Sequence, residues 1–222
     1  MDKRKVIIFT IISTIISIIF ILCSYFGFVR YFNMYINSSN KYVENYSKLY
    51  KTGEKRVVIS LSTTPDKIEK IKPMLNSILD QTVKVDQIAL VIPDKYKGKK
   101  YNIPKYINNI CNIFPAGKNY GKGTKLIPIL LREKECGTTI IALNDNIIYG
   151  QDFIYTMLEE SKNNPGKVLV DQKGVAILVK PEYFGCDVID RDKDKFDNEW
   201  FLAKANDSKI TTYTENYRIL GF

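Results

Sequence analysis

The sequence predicts an α/β domain, a mixed and mainly parallel sheet flanked by helices, carried behind one N-terminal transmembrane helix. Two observations predict it. The run 6–29 holds no charged residue and is dominated by Ile and Phe. Beyond it, short β-branched runs alternate with segments whose apolar residues recur at helical spacing, the pattern of strand–helix–strand units.

Taken in order, residues 1–5 form a short basic tail with Lys3, Arg4 and Lys5. The run 6–29 would be about 36 Å long as a helix. That is enough to cross a hydrocarbon core of about 30 Å. Ser13, Thr14 and Ser17 lie inside it and bond back to helix carbonyls. A cleaved signal peptide is the rival, but its apolar region is shorter and ends in small residues. Here the run ends Cys23-Ser24-Tyr25-Phe26-Gly27-Phe28. The expectation is a single-pass membrane protein anchored through 6–29. The basic cluster at its start places the N-terminus in the cytoplasm. The sequons at Asn37, Asn45 and Asn206 add weak support for an extracytoplasmic domain in a eukaryotic host.

Residues 30–54 are rich in Asn, Ser, Tyr and Lys and read as a stalk, helical in part. A globular domain then spans 55–222. Arg56-Val57-Val58-Ile59-Ser60-Leu61 reads as a buried strand ending at Thr63-Thr64-Pro65. Ile68, Ile71, Leu75, Ile78 and Leu79 follow at helical spacing. Pro73 inside that pattern marks the first turn of the main helix, with 66–70 as a separate turn. Gln87 to Ile92 is a second strand, closed by Pro93. Ile110 to Phe114 is a third, Gly123 to Arg132 a helix, and Thr138 to Leu143 a strand that runs into Asn144-Asp145-Asn146. A helix over 151–162, strands over 167–170 and 174–179, and a short helix over 198–205 complete the expectation.

Composition excludes several chemistries. With no His there is no Ser-His-Asp triad, no Cys-His dyad and no His-ligated metal. Cys23, Cys111, Cys136 and Cys186 include no C-x-x-C pair, so a thiolate zinc site is not expected; Cys111 and Cys186 read as buried or free thiols. The net charge of +9 comes mostly from dispersed Lys, with no Arg-rich arm or finger motif, so no nucleic-acid partner is expected. An anionic ligand or membrane surface suits such a charge. Asp190, Asp192 and Asp194 start like a calcium loop, but Lys195 and Phe201 stand where Gly and Glu belong. That segment reads as a solvated loop.

Ligands of open α/β sheets bind beyond the C-terminal ends of the strands. Ser62-Thr63-Thr64, Asn144-Asp145-Asn146 and the segment before Trp200 fall there. Lys118, Lys122 and Lys125 among Gly117, Gly121 and Gly123 form a basic loop that does not match a Walker A. It reads either as a diphosphate contact, chiefly through Lys125, or as an exposed loop. Thr63 and Thr64 read equally as ligand contacts or as caps. Trp200 reads more readily as core than as an acceptor platform.

These segments carry a resemblance. Ser60 to Ile68 with Asn76 to Thr82, then Tyr120-Gly121-Lys122-Gly123-Thr124-Lys125-Leu126, Ile141 to Tyr149, Gly174-Val175-Ala176 and Asp197-Asn198-Glu199-Trp200 resemble, in order, the motifs of family 2-like glycosyltransferases of the GT-A fold. The resemblance covers about residues 56–215 and implies a GT-A-like (Rossmann-like) fold. It implies transfer of a sugar from a nucleotide-sugar donor to a glycan, lipid or protein acceptor. It implies donor binding by Ser62, Thr63, Thr64, Lys125, Asn144 and Asp145. It implies a divalent cation, Mn²⁺ or Mg²⁺, at Asp145 and Asn146, and an acceptor base among Asp197 and Glu199. The chain departs from the pattern where that family has Asp-Asp-Asp. Asn144 and Asn146 bring no charge, so metal affinity is weakened. Asn198 alters the acidic pair in the same way. The alternative expectation is a catalytically silent relative that binds a glycan or a partner enzyme at the membrane.

Overall fold

A computed structural model describes residues 3–25, 27–171, 174–183, 211–213 and 217–219. The expected helix over 198–205 lies outside these residues, as do Cys186, Asp197, Glu199 and Trp200. By internal contacts the chain divides into a unit over 1–38 and a unit over 39–222.

In the first unit, helix α1 (Lys3–Tyr25) is long and apolar enough to span a membrane, and none of its residues is buried. The Thr14 and Ser17 hydroxyls donate to the carbonyls of Thr10 and Ser13, each at 2.9 Å, so these polar side chains expose no unmet donor. Gly27 ends the helix in the left-handed region at φ 71°, and α2 (Phe28–Ile36) starts from it.

The second unit is a mixed sheet with helices. Helix α3 (Ser39–Ser47) lies in the segment read as a stalk and packs on α4 (Lys72–Leu79). The Val85 N–H donates to the buried Tyr46 hydroxyl at 2.8 Å. Compact packing therefore begins ahead of the boundary at residue 55 that composition marks.

Strands β1 (Arg56–Leu61), β2 (Gln87–Ile92), β3 (Asn112–Pro115) and β4 (Thr138–Leu143) are parallel neighbours. Strand β7 (Ala176–Val179) pairs antiparallel with β4 and with β6 (Leu169–Asp171), and β8 (Thr211–Tyr213) pairs parallel with β6. The order is β3-β2-β1-β4-β7-β6-β8. Strand β5 (Ile147–Tyr149) lies apart and pairs antiparallel with β9 (Tyr217–Ile219).

Both faces of the sheet are apolar, which is why β1, β2 and β4 read as continuous β-branched runs. On one face Val58, Ala89, Val91, Ile140 and Ala142 pack with Ile127, Ile129 and Leu130 of α6 (Ile127–Arg132). By alternation Val57, Ile59, Leu61, Ile141 and Leu143 point the other way and are buried too, as are Phe153, Ile154, Met157 and Leu158 of α7 (Phe153–Asn163). A short helix, α5 (Lys105–Asn108), precedes β3.

Prolines set local starts, at Pro73 as expected and at Pro128 against the expectation of one helix through it. Pro73 sits in the first turn of α4, and Pro128 in the first turn of α6. The helix expected over 123–132 is divided: Gly121–Lys125 is a 3-10 helix, and α6 starts after it. Pro128 supplies no N–H and so marks a helix start.

Candidate functional site

Parallel strands β1, β2 and β4 all point their C-terminal ends the same way, and the loops that leave them surround a cavity of 350 Å³. Ser62, Thr63 and Thr64 line it from the end of β1, Pro93 from β2 and Asp145 from β4. Lys67, Tyr96, Tyr101, Asn119, Gly121, Lys122 and Thr124 complete the wall.

Long-range hydrogen bonds tie these loops together. The Thr63 hydroxyl donates to Asp145 Oδ2 at 2.7 Å, linking β1 to β4. The Tyr101 hydroxyl donates to the Thr63 carbonyl at 3.0 Å, which fixes the loop from the third side. Thr63 is therefore a side-chain partner of the carboxylate. The carbonyl of Thr64 accepts the N–H groups of Lys67 and Ile68, each at 3.0 Å, and closes the turn that follows.

Lys125 stands beside the cavity. It ends the 3-10 helix, is buried, and its carbonyl accepts the Ser60 hydroxyl of β1. Its ammonium donates to Asn144 Oδ1 at 2.5 Å. Burial pulls its pKa down to about 8; the charges of Asp145 and Asp171 oppose that shift, and Lys122 adds to it. The Gly-rich loop in front of it is built by its own polar groups. Asn119 Oδ1 accepts the Gly121 N–H at 2.9 Å and the Thr124 hydroxyl at 3.2 Å. Thr124 Oγ1 accepts the Tyr120 N–H at 3.0 Å. Lys122 lines the cavity, while the Lys118 ammonium lies 4.9 Å from the Tyr120 ring centroid.

Tyr149 and Asp171, neither of them marked in the sequence, hold the end of β4 in place. The Tyr149 hydroxyl accepts the Asn144 N–H at 2.9 Å and lies 3.1 and 3.2 Å from the carbonyls of Asn144 and Val175. The Tyr149 N–H donates to the Ser77 hydroxyl at 3.1 Å. The buried Asp171 carboxylate accepts the Val175 N–H at 2.5 Å. An aromatic residue three positions after the Asn-Asp-Asn triplet was the only sequence signal for Tyr149; nothing local marks Asp171.

The structure thus brings Thr63, Lys125, Asn144 and Asp145 together, with Ser62 and Thr64 on the same cavity. Asn146 is half-buried on the loop and does not line the cavity. The catalytic candidates Asp197 and Glu199 lie outside the described residues. A divalent cation would find one carboxylate at this strand end, Asp145, and Asn144 Oδ1 already faces an ammonium. Among the described residues no group of three or more His, Cys, Asp or Glu side chains is placed to hold a metal. The donor set does not form a cation cage by itself.

No model of a known protein family matches the chain. The uncharacterized protein 111R of Invertebrate iridescent virus 6 is 27% identical to it over 136 residues, which span 59% of this chain and 69% of that protein.

Proposed function

We propose that the protein is a membrane-anchored glycosyltransferase that moves a sugar from a nucleotide-sugar donor to a glycan, lipid or protein acceptor. One observation carries the reading: a buried cation, Lys125, and a hydroxyl-bound carboxylate, Asp145, meet beside a 350 Å³ cavity at the C-terminal ends of parallel strands. That is where open α/β sheets bind their ligands.

The roles follow from charge. The leaving group of a nucleotide-sugar is a diphosphate, which gains negative charge as the glycosidic bond breaks. Lys125 is fixed by Ser60 and Asn144, so it meets that charge without reorganising. Lys122 and Lys67 on the wall add positive potential. Thr63 orients Asp145. A Mn²⁺ or Mg²⁺ ion brought with the diphosphate would neutralise further charge beside Asp145. Asp197 or Glu199 takes the proton of the acceptor hydroxyl in this reading.

Asn144 favours a second reading. Its uncharged amide faces Lys125 where a carboxylate would strengthen a metal site. In that reading the domain is catalytically silent and binds a glycan or a partner enzyme.

Thermal unfolding of the full chain in detergent, with UDP, GDP or CDP and with or without Mn²⁺, separates the two. A ligand bound only by the folded state raises the melting temperature. A rise with one diphosphate that Mn²⁺ enlarges, and that Asp145→Ala removes, supports the transferase. A flat response to all three from a cooperatively folded sample supports the silent relative.

A further inference from the structure

Helix α2 turns its apolar side outward. Phe28 is 53% exposed, Phe32 61%, Tyr35 41% and Ile36 58%. At 100° per residue these four fall within one arc of about 100°. Arg30 and Asn33, at about 200° and 140° from Phe28, lie on the far side and are less exposed. Met34 is buried on that far side, so α2 packs inward through it while the wider apolar arc stays displayed, which is unusual for a helix in water. The occupant of that face is indicated by the helix next to it. Helix α1 is apolar on every side, with no buried residue, and runs into α2 through Gly27.

Length explains the break at Gly27. One unbroken helix over 3–36 would extend about 50 Å. The hydrocarbon core is about 30 Å thick. Gly27 at φ 71° ends α1 and lets α2 leave along a new axis. The chemistry of the displayed face, two Phe, one Tyr and one Ile, is that of a helix lying in the headgroup region. There aromatic rings are favoured and a polar back faces water.

We infer that α2 is an interfacial helix: Phe28, Phe32, Tyr35 and Ile36 rest in the headgroup–acyl boundary of the bilayer that α1 enters, with the side that carries Arg30, Asn33 and the buried Met34 turned away from the lipid. The inference rests on α1 being the membrane anchor, so its test reads both helices separately.

The full chain is reconstituted at low protein-to-lipid ratio into phosphatidylcholine and phosphatidylglycerol vesicles. Its natural cysteines are replaced by Ser, and single cysteines carry a nitroxide. Labels at Phe28→Cys, Phe32→Cys and Ile36→Cys are expected to relax severalfold more with oxygen than with a water-soluble nickel chelate. Arg30→Cys and Asn33→Cys should relax less with oxygen than these three, giving a helical period. Ile15→Cys in α1 reports the anchor. A lipid-buried label at 15 with water-exposed labels at 28, 32 and 36 overturns the interfacial helix and leaves the anchor standing. Water-exposed labels at all positions overturn both. Low accessibility to both reagents at 28, 32 and 36 means a protein covers the face and also overturns the inference. Should the cysteine-free chain not fold, Phe32→Trp in the natural chain replaces the scan. Lipids brominated near the glycerol end should then quench its added fluorescence more than lipids brominated deep in the acyl chain. No added quenching overturns the inference.

Discussion

The two ends of the sheet use the same kinds of side chain for opposite purposes. At the N-terminal end of the strands, charges are matched. Arg56 donates to both carboxylate oxygens of Glu133, at 2.8 and 3.0 Å, and to Gln87 at 2.6 Å. Its pKa is raised, chiefly by the hydrogen bond to Glu133. Asp86 binds Lys51 at 2.7 Å and the Val57 N–H at 2.8 Å. Burial pushes its carboxyl up, but these bonds and the charges of Lys51 and Arg56 outweigh that and leave it below its ordinary value. At the C-terminal end the buried cation faces a neutral amide, and its pKa is lowered. A charge held by full pairing stabilises a fold. Lys125 bonds a neutral amide and feels Asp145 and Asp171 only through their fields, so a bound anion could add the direct charged partner it lacks.

The largest effect should come from breaking the matched end. Arg56→Met leaves Glu133 buried without its cation. We expect a loss of about 3 kcal/mol of stability, near 9 °C in melting temperature for a domain of this size. Calorimetry reads the loss, and diphosphate affinity should stay unchanged. An equal loss of affinity would show that the ends are not separate in function.

Lys125→Met should do the converse. The domain should still unfold cooperatively, but on the proposed function its affinity for a nucleoside diphosphate should fall about thirtyfold, the contribution of a hydrogen bond to a charged group. Titration calorimetry measures it, and unchanged affinity would remove Lys125 from the ligand's path.

pH separates the ends by range. Lys125 loses its proton as pH rises through about 8, so diphosphate affinity should fall above that value and level off near the thirtyfold loss of Lys125→Met. Over the same interval, up to the ordinary lysine range, the unfolded chain binds more protons than the free fold, so Lys125's contribution makes stability rise. Asp86 acts in the acid range. Its contribution is present above the ordinary carboxylate pKa and is lost as pH falls through its lowered value. Urea melts and binding titrations across pH read all three slopes.

The smallest expected effect is at Thr63. Thr63→Val removes the hydroxyl that holds Asp145, and ligand affinity should drop by about 1 kcal/mol, near fivefold. Asp145→Asn in the Thr63→Val background tests coupling: a second loss smaller than in the parent chain shows that the pair acts together.

Local pattern made much of the architecture legible. The uncharged run at the N-terminus required a single long apolar helix. The β-branched runs of β1, β2 and β4 could be read because strands buried on both faces leave no alternation to confuse with a helix. Pro73 announced a helix start because a ring nitrogen cannot donate inside a helix, and the same rule at Pro128 explains why the helix expected over 123–132 is divided. Thr63 and Asp145 could be placed near one another because each follows a parallel strand. Strand β5 was missed: it has only three residues, and its partner β9 lies far along the chain.

What the tertiary structure alone decided is the state of the side chains at the strand ends. Ser60 lies in a strand run that reads as core, yet its hydroxyl fixes Lys125, a residue far from it in sequence. Tyr149 locks the end of β4 to the loop before β7. Asp171 and Asp145 set their fields on Lys125 from other strands. The sequence by itself determined the anchor-like helix, the strands and the loops that could meet. Which lysine is buried, and which amide and carboxylate face it, depends on contacts between residues distant along the chain. Burial and field are properties of that assembled neighbourhood, and local periodicity carries no record of them.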